Sequence, residues 1–161
     1  MAVNPALDTP TDLPNTRSVA DALNAALANC YALYLKTKNF HWHVSGPHFR
    51  DYHLLLDDQA AQILGVTDAI AERVRKTGNV TLRSIGDIGR RQTIVDNDKD
   101  FVEPQAMLKE LRDDNLKLVE DFRAVKDASE AAKDNATSGI VDDWTDQAEE
   151  RAWFLFEASR K

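Results

Sequence analysis

The chain has 161 residues, 43% of them hydrophobic, which is enough for one domain core and excludes a disordered tail protein. With 29% charged residues, no stretch approaches the ~20 apolar residues of a membrane span, so a soluble protein is expected. Twenty basic against 27 acidic side chains leave a net charge of −7, a balance that repels nucleic acid overall and attracts cations.

Residues 1–16 hold Pro5, Pro10, Pro14, Asp8 and Asp12 with no Lys or Arg, and read as a flexible arm preceding a domain over 17–161. The segment from Met1 to Arg17 lacks the basic opening and apolar run of a secretory signal. From Ser18 to about Val44, Val19, Leu23, Leu27, Tyr31, Tyr34 and Leu35 recur mostly every three or four residues, predicting a long amphipathic helix. Cys30, the single cysteine, cannot form an internal disulfide, which suits a reducing cytoplasm. Ser45-Gly46-Pro47 is a break, and a second helix is predicted from about Pro47 to Thr77, stopping at Gly78.

Residues 79–103, with Gly86, Gly89 and the acidic run Asp96, Asp98 and Asp100, read as a crossover containing one short helix. Pro104 opens a third predicted helix, with Met107, Leu108, Leu111, Leu116, Leu118 and Phe122 inward, ending near Lys133. A fourth starts around Thr137, carries Ile140, Val141, Trp144, Ala148, Trp153 and Phe154, and fades by Arg160. Two short connections and one long crossover between helices two and three predict an all-α, antiparallel four-helix bundle of the ferritin-like type.

All the histidines, His41, His43, His48 and His53, fall between positions 41 and 53. Neutral imidazole is a common ligand for Fe, Zn and Cu, so the cluster is a candidate metal site; helix-end and surface decoration is the competing reading. On the second helix, His53, Asp57, Asp68 and Glu72 lie at roughly 0°, 40°, 60° and 100° of one face. That face also carries Ala61 and Leu64, so it is apolar in the middle and ionisable at both ends, unlike a solvated surface.

One copy of the helix cannot close a site, because Asp57 and Asp68 are ~16 Å apart along its axis. Two copies packed antiparallel about a two-fold axis can: His53 then faces Glu72, Asp57 faces Asp68, and Ala61 faces Leu64. Facing carboxylates in a partly dry interface repel unless a cation or proton lies between them. Such a dimer carries two equivalent sites ~22 Å apart. The intra-bundle alternative needs Glu-x-x-His motifs, and no Glu in this chain is followed three residues later by His.

Asn39-Phe40-His41-Trp42, then Val44-x-Gly46-Pro47, Phe49, His53 and Asp57, then Asp68-x-x-Ala71-Glu72-Arg73, resemble the signature of the Dps family, the DNA-binding proteins from starved cells. The helix layout and the Trp153-containing last helix extend the likeness over roughly residues 17–158. The resemblance implies a cytoplasmic homo-dodecamer, with nucleoid association left open, whose ferroxidase sites draw His41, His53 and Asp57 from one subunit and Asp68 and Glu72 from another. It implies that Fe(II) is oxidised by hydrogen peroxide, more slowly by dioxygen, that ferric mineral is stored inside the shell, and that the cell is thereby protected from oxidative stress. Trp42 resembles the family's tryptophan that intercepts oxidising equivalents; a core aromatic closing the first helix is the alternative. Zn(II) is a competitor for such ligands.

His43 and His48 have no ligand role in this reading, and Asp134 and Asp143 are candidate cation-pore acids, with Gly139 where relatives often carry another acid. The competing function is a nucleoid protein that binds DNA non-specifically. Residues 1–16 sum to −2 and only Arg160 and Lys161 stand at the other end, so DNA binding is expected to be weak or absent at physiological salt.

Overall fold

The structure, a computed structural model, describes residues 17–161. The expected arm over 1–16 lies outside the described residues. Among those described there is no strand; four long helices and one short one run α1 Arg17–His43, α2 Phe49–Lys76, α3 Ile85–Arg91, α4 Pro104–Ala131 and α5 Asn135–Ala158. α1 packs on α2 and α4, α4 on α5, and α5 only lightly on α2, closing the bundle; α3 lies on the outer side of α1. Leu23, Leu27, Leu33, Phe40, Leu56, Ile63, Ile70, Leu108, Leu111, Leu118, Phe122 and Leu155 are fully buried at its centre. Each contributes about 1.5–3 kcal/mol by leaving water.

The helix ends fall within two residues of the sequence expectation, and the differences have local causes. Gly46 adopts φ +115° and its carbonyl accepts the Phe49 amide, so Pro47 and His48 belong to the turn and α2 begins at Phe49. Gly78, at φ +80°, follows the end of α2. The α4–α5 turn is tighter than expected: Lys133 takes the left-handed conformation at φ 57° and Asp134 caps α5 by accepting the Thr137 amide, which starts that helix two residues early.

Several apolar positions expected inside are exposed. On α4 the inward stripe runs through Leu111, Asn115 and Leu118; on α5 it runs through Ala148, Arg151 and Leu155. Arg151 Nε donates to Asn115 Oδ1 at 2.7 Å across the bundle. This polar pair takes two inward positions, which turns Leu116, Trp153 and Phe154 outward; Ile140 and Leu35 are likewise exposed beside buried neighbours.

Polar side chains of α1 hold the crossover in place. Asn24 donates to the Val80 carbonyl, Asn29 accepts the Thr93 and Ile94 amides, Lys36 donates to the Val95 carbonyl, and Asn39 donates to the Asn97 carbonyl. α3 itself buries no residue, and Ile85 on it is almost fully exposed.

Candidate metal centre

His41 sits in the last turn of α1 and His53 in the second turn of α2, and the sharp turn at Gly46 folds one onto the other. Their rings stack with centroids 3.8 Å apart and planes 16° from parallel. Each Nδ1 lies 2.7 Å from the other residue's carbonyl oxygen, so the two histidines are bonded reciprocally. A carbonyl only accepts; each Nδ1 therefore carries the hydrogen, and each Nε2 of a neutral ring keeps a lone pair free for a metal. The His53 bond also satisfies a carbonyl in the last turn of α1, where helical partners run out. Phe49 stacks on the His53 ring at 4.9 Å and further restricts it.

One turn beyond His53, Asp57 Oδ1 lies 3.8 Å from His41 Nε2 and 2.8 Å from Lys38 Nζ. The Lys38 hydrogen bond, with that ammonium's charge and weaker help from His41 and His53, holds the Asp57 carboxyl below the usual carboxylate range against an opposing push from burial. Lys38 is the residue that sequence reasoning missed. The signal was its position one turn before His41 on the same face of α1.

Asp68 and Glu72 are exposed on the same side of α2, further along the helix, with no hydrogen-bond or ion-pair partner among the described residues. The structure thus stacks His41 on His53 and sets Asp57 near His41, but leaves Asp68 and Glu72 apart from them. Among the described residues, no three His, Cys, Asp or Glu side chains come together in a group that could hold a metal ion.

Trp42, next to His41, is 56% exposed, which excludes the core-aromatic reading. His43 is exposed, with Nδ1 2.8 Å from both the Asn39 carbonyl and Asn39 Oδ1; exposed His48 lies with its ring 5.6 Å from that of Tyr52. The Tyr52 hydroxyl donates to the Ala158 carbonyl, tying α2 to the end of α5. Of the two pore candidates, Asp143 is exposed and accepts from Gln147. Asp134 is buried, accepting from Thr137 and paired with Arg73 at 3.3 Å.

A ferritin-like domain model matches residues 20–160. The DNA protection during starvation protein of Agrobacterium fabrum is 32% identical, over 91% of this chain and 92% of its own. The solved archaeal Dps homologue of Halobacterium salinarum superposes with a TM-score of 0.87 at 29% identity, covering 91% of this chain and 82% of that one. Dps from Bacillus brevis gives 0.86 at 27% identity, covering 91% and 97%. The chain belongs to the Dps family of ferritin-like proteins.

The interior of this Dps bundle already holds a cation. Arg151 is buried; among the described residues its side chain bonds only to neutral Asn115 and its Nη1 atom has no partner, and burial lowers its pKa to about 10. The inward-reaching carboxylates are engaged: Asp114 with Lys36, Asp121 with Asn29 and Lys117, and Asp134 with Arg73. Asp68 and Glu72, without partners among the described residues, lie instead on the exposed face of α2.

Proposed function

We propose that this Dps chain oxidises Fe(II) with hydrogen peroxide, and more slowly with dioxygen, at sites completed by a second copy of the chain. The ferric product is then stored in a dodecameric shell. The observation that carries this reading is the division of one face of α2. His41 and His53 are bonded to each other with Asp57 3.8 Å from His41, while the unpartnered Asp68 and Glu72 lie further along the same helix. An antiparallel copy brings Asp68 and Glu72 of the partner subunit opposite Asp57 and His53. Exposed Leu64 then meets Ala61 of the partner subunit at the centre. Exposed Leu35, Trp42, Ile85 and Phe101 line an adjoining groove of about 940 Å³, apolar surface of the kind that marks an interface.

In the assembled site the imidazole Nε2 atoms and the carboxylates receive ferrous ions, a donor set of borderline and hard ligands that suits iron and that Zn(II) can also occupy. Two ferrous ions lose one electron each. The O–O bond of one peroxide accepts both electrons and, with two protons, two water molecules leave. Pairing the electrons avoids free hydroxyl radical, and Trp42, exposed beside His41, takes up stray oxidising equivalents in this reading.

A net charge of −7 supports weak or absent DNA binding at physiological salt. Among the described residues no helix is long and apolar enough to cross a membrane. The deciding experiment replaces Asp68 and Glu72 by Ala and follows peroxide-driven Fe(II) oxidation. Rapid oxidation is expected to disappear while the shell persists, and an unchanged rate in an assembled shell rejects the shared site.

A further inference from the structure

Asp68 and Glu72 have no side-chain partners among the described residues, so their placement depends on how the backbone of α2 is held. α2 is held loosely on its α5 side. Three polar ties cross that seam: Tyr52 to the Ala158 carbonyl, Gln59 to the Arg151 carbonyl, and Arg73 to the start of α5. Only the last lies near Asp68 and Glu72, and only it is ionic.

Its geometry is closed. Arg73 Nε donates to Thr137 Oγ1 at 2.8 Å, and Arg73 Nη2 reaches Asp134 Oδ1 at 3.3 Å. Thr137 Oγ1 donates in turn to Asp134 Oδ2 at 2.6 Å, and the Thr137 amide to Asp134 Oδ1 at 3.1 Å. The Asp134 side chain is 6% exposed and that of Arg73 12%. The guanidinium is therefore gripped by the same carboxylate that caps α5, in a setting with little water to compete.

We infer that Arg73 is a positioning residue. Through Asp134 and Thr137 it fixes the rotation and height of the last turns of α2, and so the Glu72 carboxylate that the proposed shared site takes from this subunit. The inference rests on that shared site. It assigns Asp134 to anchoring, whereas the sequence suggested a pore.

The test measures Zn(II) binding by calorimetry, with no turnover, beside Fe(II) oxidation over a range of iron concentrations. Supporting groups around metal ligands are worth about 10–100-fold in affinity. Arg73→Ala is expected to weaken Zn(II) binding by about tenfold and raise KM for Fe(II) with kcat near wild type. Asp134→Asn keeps an equally good helix cap but removes the charge, so a smaller shift of the same kind is expected, and it serves if Arg73→Ala fails to fold. Arg73→Lys should restore part of the loss. Lys126→Met cuts a different tie to the same end of α5, at the Ser138 carbonyl and Asp142, and should leave both readouts unchanged.

Unaltered Zn(II) affinity and KM in Arg73→Ala and Asp134→Asn overturn the inference, as does an equal loss in Lys126→Met. Asp68→Ala and Glu72→Ala run in parallel. If they abolish oxidation while the Arg73 variants leave affinity untouched, only the positioning role fails. If they leave oxidation intact, the shared site fails and the positioning role goes with it.

Discussion

The inside of the bundle and the outward face of α2 solve opposite electrostatic problems. Inside, a guanidinium is buried against a neutral amide, and the carboxylates of Asp114, Asp121 and Asp134 each face a cation of the same bundle. Outside, Asp68 and Glu72 have no partner among the described residues, and the carboxylate of Asp57 is balanced by a partly exposed lysine. A buried cation with an unsatisfied N–H repels a second cation, whereas unpaired acids on a rigid face attract one. The fold is ferritin-like, yet on the proposed reading the place for metal lies between bundles and not within one.

The sharpest way to break this contrast is to keep two outward faces from meeting. Leu64→Asp puts like charges at the centre of the proposed two-fold contact and leaves the core intact, since Leu64 is exposed in the single chain. Helicity by circular dichroism is expected to be retained, ultracentrifugation to show dissociated chains, and rapid iron oxidation to vanish. Full activity from the dissociated chain would return the metal to a single bundle.

A mixing experiment sharpens the same point. His53→Ala and Glu72→Ala should each slow oxidation by on the order of 100-fold or more, because supporting groups alone reach that scale. Co-expressed in equal amounts, the two chains form mixed dimers in which one of the two sites is whole. Random assembly should then recover about a quarter of the wild-type rate. No recovery from mixed shells of verified composition contradicts the shared site.

Lys38 gives a smaller effect. A metal arriving at Asp57 displaces an ion pair whose partners are both partly exposed, and such pairs contribute little. Lys38→Met is therefore expected to tighten Zn(II) binding by no more than about fivefold, measured by calorimetry near neutral pH. Weaker binding would mean that the ammonium orients the carboxylate more than it competes for it.

The elements of the fold were legible because helix periodicity, Gly46 and Pro104 are local signals. Leu116, Trp153 and Phe154 were misplaced because a guanidinium and an amide on different helices claimed the inward positions, and only their mutual hydrogen bond makes that burial tolerable. The candidate ligands were legible as residue types at helical spacing. The stacking of His41 on His53 was not, since it depends on the angle of one turn. Lys38 was readable in principle: a cation one turn from a histidine signals little until an acid from another helix arrives beside it. Asp134, a candidate pore acid from the sequence, caps α5 and pairs with Arg73, because an acid just before a helix has that helix's free amides as its nearest partners.

A last prediction concerns the inner region alone. Cys30 is fully buried near Arg151, and burial pushes its thiol from an ordinary 9.0 up to about 12, with the Arg151 charge opposing and Asp121 adding to the rise. In the folded chain it should resist iodoacetamide until the chain unfolds. Because its folded pKa is raised, the stability it contributes is complete below pH 9 and is lost as pH climbs toward 12, where the unfolded chain releases the proton first. Arg151, lowered to about 10, works the other way above that pH, so the useful window is pH 9 to 10. Urea unfolding of the dissociated Leu64→Asp chain should lose about 1.4 kcal/mol more by pH 10 than the same chain carrying Cys30→Ala, after each is referred to its own stability at pH 7.5. Equal losses in the two chains would mean that water reaches the thiol and that the interior is less closed than its packing indicates.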